Sequence, residues 1–186
     1  QSLVDSGLAL TQSAPDSPAA WRIRLLRAEL QIARLSLKDA TVDLEAPMPE
    51  GREFDALRGR QQYLRAQLQL SQGQLKQALS TLSEASANAG TDRELLADIE
   101  ILGSQARLRL GQWDDAEQRL TTVAKDAAAR SDPYREALAI NNLGMSRLLR
   151  NRFDDALQQF DAVLARQELE PTRAYTLALI NVGICL

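Results

Sequence analysis

The chain has 186 residues, 45% of them hydrophobic but only 4% aromatic, and a formal net charge of −3; that is enough chain to bury a sizeable core as one domain or a short repeat array. There is no histidine and a single cysteine, Cys185, which excludes Ser-His-Asp and Cys-His nucleophiles, imidazole metal ligands, an internal disulfide and a Cys-based zinc site. No basic run tracks phosphates, no apolar stretch approaches the ~20 residues that span a bilayer, and residues 1–20 lack the pattern of a signal peptide, so no nucleic acid and no membrane is expected among the partners.

Leu, Ala, Gln and Arg dominate and favour helix, while β-branched residues are sparse, so the expected fold class is all-α. Residues 3–12 read as the remnant of a second helix from an earlier unit. At Ser17-Pro18 a polar residue precedes proline at a first helical position, and helices follow near 18–34 and 37–46, the latter stopped by Pro47-Met48-Pro49. A second pair is expected near 53–71 and 75–88. The third pair, near 92–109 and 113–129, starts on Thr91-Asp92-Arg93-Glu94, which matches a capping box. The fourth, near 133–149 and 153–167, starts on Asp132-Pro133. Beyond Glu170-Pro171, Asn181-Val182-Gly183 echoes Asn142-Leu143-Gly144, so the last residues read as a fifth first helix whose partner is missing. The chain is therefore expected to be a piece of a longer protein, its array continuing on the C-terminal side.

A repeat underlies this order. Leu37, Leu75, Trp113 and Phe153 are each followed three residues on by Ala40, Ala78, Ala116 or Ala156, and four further by Leu44, Leu82, Leu120 or Phe160. The alanines are spaced by 38, 38 and 40 residues. Twelve before each stands a small residue, Ala28, Ala66, Ser104 or Gly144; eight before stands Ile32, Leu70, Leu108 or Leu148. Five before comes Leu35, Gly73, Gly111 or Asn151, a helix-ending type in three of the four. Small residues on both helices permit close approach, and the large residues then need a neighbouring unit, because one hairpin cannot bury its apolar face alone. The expected architecture is a right-handed α-solenoid of antiparallel helix pairs forming one array, with repeats near 18–50, 51–90, 91–130 and 131–170 and a partial fifth at 171–186.

Asn141-Asn142-Leu143-Gly144 with Phe153-Asp154-Asp155-Ala156 and Phe160, and Gly111-Gln112-Trp113-Asp114-Asp115-Ala116, resemble the tetratricopeptide repeat over about residues 21–186. The periods exceed that family's ~34 residues, and its first-helix aromatic is replaced by Gln31, Gln69, Arg107 or Arg147. The run from Trp21 to Gly51 with these long repeats also resembles the N-terminal arms of bacterial proteins ending in a caspase-like CHAT domain. That resemblance implies a cysteine–histidine activity elsewhere in the parent, and neither residue of the pair is carried here. The helical sensor regions of large bacterial transcription regulators are a second family with repeats of this length.

The resemblance implies a protein–protein interaction scaffold that grips a protein or peptide on the concave face lined by first helices; the alternative is a regulatory or sensor arm contacting a missing C-terminal domain of the parent. On that face the phasing places Arg22, Glu29, Arg60, Tyr63, Gln67, Gln105 and Arg109 as candidate partner-binding residues, Tyr63 being divided between core and groove. Gln31, Gln69, Arg107 and Arg147 give the groove or its rim amides early and positive charge late, which suits an acidic or polar extended segment. Asp114-Asp115 and Asp154-Asp155 read as charges favoured by helix N-termini rather than as acid/base or metal groups, and Trp113 and Phe153 as packing residues. No catalytic residue, cofactor or metal is expected in this segment. The compartment stays open, with the cytoplasm as the default.

Overall fold

A computed structural model describes residues 14–185. Among these the chain is all-α, a run of helix–turn–helix pairs: α1 Pro18–Ala33, α2 Leu37–Glu45, α3 Asp55–Ser71, α4 Leu75–Asn88, α5 Arg93–Arg109, α6 Trp113–Ala129, α7 Pro133–Leu149, α8 Phe153–Leu164 and α9 Arg173–Cys185. Short 3₁₀ turns at Arg52–Phe54 and Gln167–Leu169 precede α3 and follow α8. The expected remnant at residues 3–12 lies outside the described residues. The chain divides into two compact units at Ile99/Glu100, within α5.

Except for α3, which is entered from the 3₁₀ turn and has no side-chain cap, the described first helices begin on side-chain caps. Ser17 Oγ accepts from the Ala20 amide at 3.3 Å, with Pro18 just inside the helix. Asp132 Oδ1 accepts from the Arg135 amide at 3.1 Å ahead of Pro133. Two starts differ from expectation. The cap of α5 is Asp92, whose Oδ1 accepts from the Leu95 amide at 2.9 Å; the box on Thr91 is displaced by one residue because a carboxylate is the stronger acceptor. For α9 the cap is Thr172, whose Oγ1 accepts from the Tyr175 amide at 3.4 Å, so Pro171 stands outside the helix.

Second helices are reached differently. At Leu35, Gly73, Gly111 and Asn151 φ is 61°, 77°, 76° and 57°, the left-handed conformation. The next amide reaches back over the turn: Ser36 to Gln31 O at 2.8 Å, Gln74 to Gln69 O at 2.8 Å, Gln112 to Arg107 O at 2.9 Å and Arg152 to Arg147 O at 2.9 Å. This Schellman closure satisfies carbonyls that a helix end leaves orphaned. The residues preceding α2, α4, α6 and α8 make no side-chain cap.

In the first unit α1 packs on α2 and α3, and α3 on α4. Trp21, Leu25, Ala28, Ala40, Leu44, Leu64 and Leu68 form its core. Helix α2 has no Schellman turn, since Pro47 follows closely; Gln61 Nε2 donates to Leu44 O at 2.8 Å and to Ala46 O at 3.1 Å, and Arg65 Nε to Leu44 O at 2.8 Å, so α3 covers its end. In the second unit α7 packs on α6 and α8, and α9 on α7 and α8. Phe160, Val163, Leu169, Ala174 and Ala178 are central to the core. There Asn181 Nδ2 donates to Asn141 Oδ1 at 3.1 Å, a buried polar bond joining α9 to α7, and Ser146 Oγ donates to Glu117 Oε1 at 2.6 Å.

Candidate functional site

The small-residue register fixes which side chains share a face. Six positions before the small residue stand Arg22, Arg60 and Asp98; one position after it stand Glu29, Gln67 and Gln105. In the first unit this register brings three successive first helices together. Arg60 Nη2 on α3 is 2.9 Å from both carboxylate oxygens of Glu29 on α1, and its Nη1 is 3.7 Å from Asp98 Oδ2 on α5. The Arg60 guanidinium also lies 5.0 Å from the centroid of the Tyr63 ring, a cation–π distance. Two carboxylates thus flank one guanidinium.

Of the candidates, then, Glu29, Arg60 and Tyr63 are in contact. Tyr63, divided between core and groove by the sequence, is half-buried and packs against the core; the residues at the same register, Leu25, Ile101 and Asn141, are buried. Arg22 is exposed two turns before Glu29, and Gln67 is half-buried one turn after Tyr63. Gln105, half-buried, and Arg109, exposed, belong to the second unit. Asp98 was not among the expected residues; its position six before Ser104 was the signal that would have found it.

The other expected groove positions are half-buried. Gln31 Oε1, Gln69 Oε1 and Arg147 Nε are buried without a hydrogen-bond partner, and Arg107 Nε is 2.7 Å from Asp115 Oδ2. These residues supply the carbonyls that the Schellman turns close on. At that end of the first unit a cleft of about 470 Å³ is lined by Thr41, Glu45, Arg65, Gln69, Gln72, Gln74 and Gln77.

A second cleft of about 430 Å³, in the second unit, is lined by Glu100, Asp115, Gln118, Arg119, Thr122 and Val123. Arg119 lies 2.9 Å from Asp115 and 3.1 Å from Glu100. Desolvation pulls the Asp115 carboxyl upward, but the Arg119 and Arg107 guanidinia outweigh it and hold the group below its ordinary value. The acidic pairs sit in the first turns of α6 and α8, as expected. Trp113 and Phe153 differ from expectation: they are 38% and 46% exposed, because they open their helices at the hairpin edge. Arg150 lies 5.6 Å over the Trp113 ring and 3.3 Å from Asp114.

Among the described residues no His, Cys, Asp or Glu cluster is arranged to hold a metal ion, and no helix is long and apolar enough to cross a membrane. Comparison with protein-family models, with curated proteins and with solved structures finds no match to this chain.

Proposed function

We propose that this chain is a tetratricopeptide-like interaction scaffold that acts by binding, and that its first-helix face in the first unit holds an extended, donor-rich segment of a partner protein. The observation that carries the reading is the row Glu29–Arg60–Asp98, one charged side chain from each of three successive first helices. A row crossing helices at repeat spacing offers regularly placed acceptors to an extended chain. Its arginine is already engaged by carboxylates, and two of the three charged groups in the row are acids, which favours a segment bearing Lys, Arg or free amide N–H groups over the acidic one expected from sequence. Tyr63 beside Arg60 supplies an amphipathic surface for the aliphatic parts of such a segment.

Each exposed charge contact contributes about 0–1 kcal/mol, so binding is weak to moderate and salt-sensitive. Isothermal titration with Lys/Ser-rich and Glu/Ser-rich peptides of equal length tests it. The basic peptide should bind more tightly, Glu29→Gln with Asp98→Asn should weaken it roughly two- to tenfold, and Asp154→Asn, an exposed acid in the other unit, should leave it unchanged. Preference for the acidic peptide, lost in Arg60→Glu, would restore the acidic reading and overturn this one.

A further inference from the structure

One position before the small residue, the first helices carry Arg27, Arg65, Gly103, Leu143 and Val182. Arg27 is engaged inside its own hairpin, where its Nε and Nη2 both donate to the Asp43 carboxylate. Asp43 stands three residues after Ala40; three after Ala78 comes Thr81 instead. With no acid at that place, Arg65 turns to α2, its Nε donating to Leu44 O at 2.8 Å. This bond covers the end of α2, but it leaves both terminal nitrogens of the guanidinium without a partner among the described residues.

Leu44 O belongs to the peptide bond that leads into Glu45, an exposed carboxylate that also makes no ion pair among the described residues. Arg65 and Glu45 both line the cleft of about 470 Å³ formed by α2, α3 and the start of α4, a size suited to a small ligand. The matching places of the later repeats hold Ser83 with Gly103, Thr121 with Leu143 and Asp161 with Val182, so of these junctions only this one sets opposite charges side by side. Gln69, Gln72, Gln74 and Gln77 complete the polar wall, and their side chains make no hydrogen bond among the described residues; each amide both donates and accepts. Leu44 and Leu68 add an aliphatic strip, and no aromatic ring lines the cleft, so a sugar or nucleobase finds no stacking platform. A lone anion meets Glu45 and a lone cation meets Arg65. A molecule carrying both charges meets each with its opposite.

We propose that this cleft binds a free α-amino acid with an uncharged polar side chain. Its carboxylate sits on the terminal nitrogens of Arg65, its ammonium on Glu45, and its side-chain amide or hydroxyl among the glutamines. The site uses none of the residues of the Glu29–Arg60–Asp98 row and does not depend on what that row binds.

L-Glutamine is the probe, and the amide chemical shifts of the intact chain are the readout. Saturable shifts clustered on residues 41–45 and 65–77 are expected. N-acetyl-L-glutamine, which lacks the ammonium, and L-glutaminamide, which lacks the carboxylate, should each bind roughly three- to tenfold more weakly. Glu45→Gln should weaken L-glutamine to a similar degree and erase its advantage over the N-acetyl form, a change that a merely structural role would not produce. Because Glu45 is exposed and unpaired among the described residues, that variant should keep the melting temperature of the parent. Absence of shifts at millimolar L-glutamine overturns the proposal, and so do equal affinities for the three ligands or undiminished binding to Glu45→Gln. Tighter binding of N-acetyl-L-glutamine than of L-glutamine overturns it as well, and would leave the cleft an anion site of Arg65 alone.

Discussion

Leu35 occupies the turn position that glycine or asparagine holds in the other hairpins. Its φ of 61° matches Gly73 at 77° and Gly111 at 76°, and its amide bonds Ile32 O at 3.0 Å just as that of Gly73 bonds Leu70 O at 3.1 Å. An L-residue in this conformation costs roughly 1–2 kcal/mol through its Cβ, and Leu35 is exposed, so burial offsets little of that. Glycine removes the strain but adds unfolded-chain entropy. Leu35→Gly should therefore raise stability by about 0.5–1 kcal/mol, and Gly111→Leu should lower it by a similar or larger amount. Urea midpoints decide it: a destabilised Leu35→Gly would mean that the strain is relieved elsewhere. The spacing marked Leu35 as the exception to a glycine or asparagine turn, but not how the chain would respond. The packing of both helices sets the turn, and the residue's own preference yields.

Among elements, the hairpin α7–α8 is the tightest test of the small-residue rule. Gly144→Ala drives a methyl into the Phe160 ring, whose Cε1 lies 2.4 Å from the added Cβ, and overpacking of this kind costs about 1–3 kcal/mol. Phe160→Leu in the same background should recover part of the loss, since Ala66 already coexists with Leu82 in α3 and α4. A double-mutant cycle by chemical denaturation should show coupling between the two; strict additivity would separate Gly144 from the ring and sink the register. The pairs themselves were legible because size alternation is local in sequence and repeats three times. What stayed hidden was side-chain direction near helix ends. Trp113 and Phe153 occupy the place of Leu37 and Leu75, yet large rings opening a helix at the hairpin edge remain partly in water. The reverse holds for Gln31, Gln69 and Arg147, polar residue types of which one polar atom each is buried without a hydrogen-bond partner.

At the scale of the whole molecule, charge is where sequence reading falls shortest, because an ion pair joins residues far apart in the chain. Arg60 reads as a cation for an acidic partner until Glu29 and Asp98 are seen on either side of it. The same holds for Arg166 and Glu136, joined by two bonds of 2.6 and 2.7 Å between α7 and the segment after α8. The hydrogen bond from Arg166 outweighs desolvation and holds the Glu136 carboxyl below its ordinary value. For Asp132, burial pulls upward, but the Arg135 amide and guanidinium prevail, and it too is lowered. A carboxyl whose pKa is depressed by folding adds stability that is fully present above the unfolded-chain value and is lost as pH falls through the folded one. Wild type should thus exceed Glu136→Gln by on the order of 1 kcal/mol at pH 7, with the gap closing as pH drops below about 4. Guanidinium chloride already screens charge, so urea is the denaturant of choice, with circular dichroism followed at several pH values. A gap that persists undiminished at pH 2.5, or that widens on acidification, would mean that Glu136 contributes through packing rather than through its charge on Arg166.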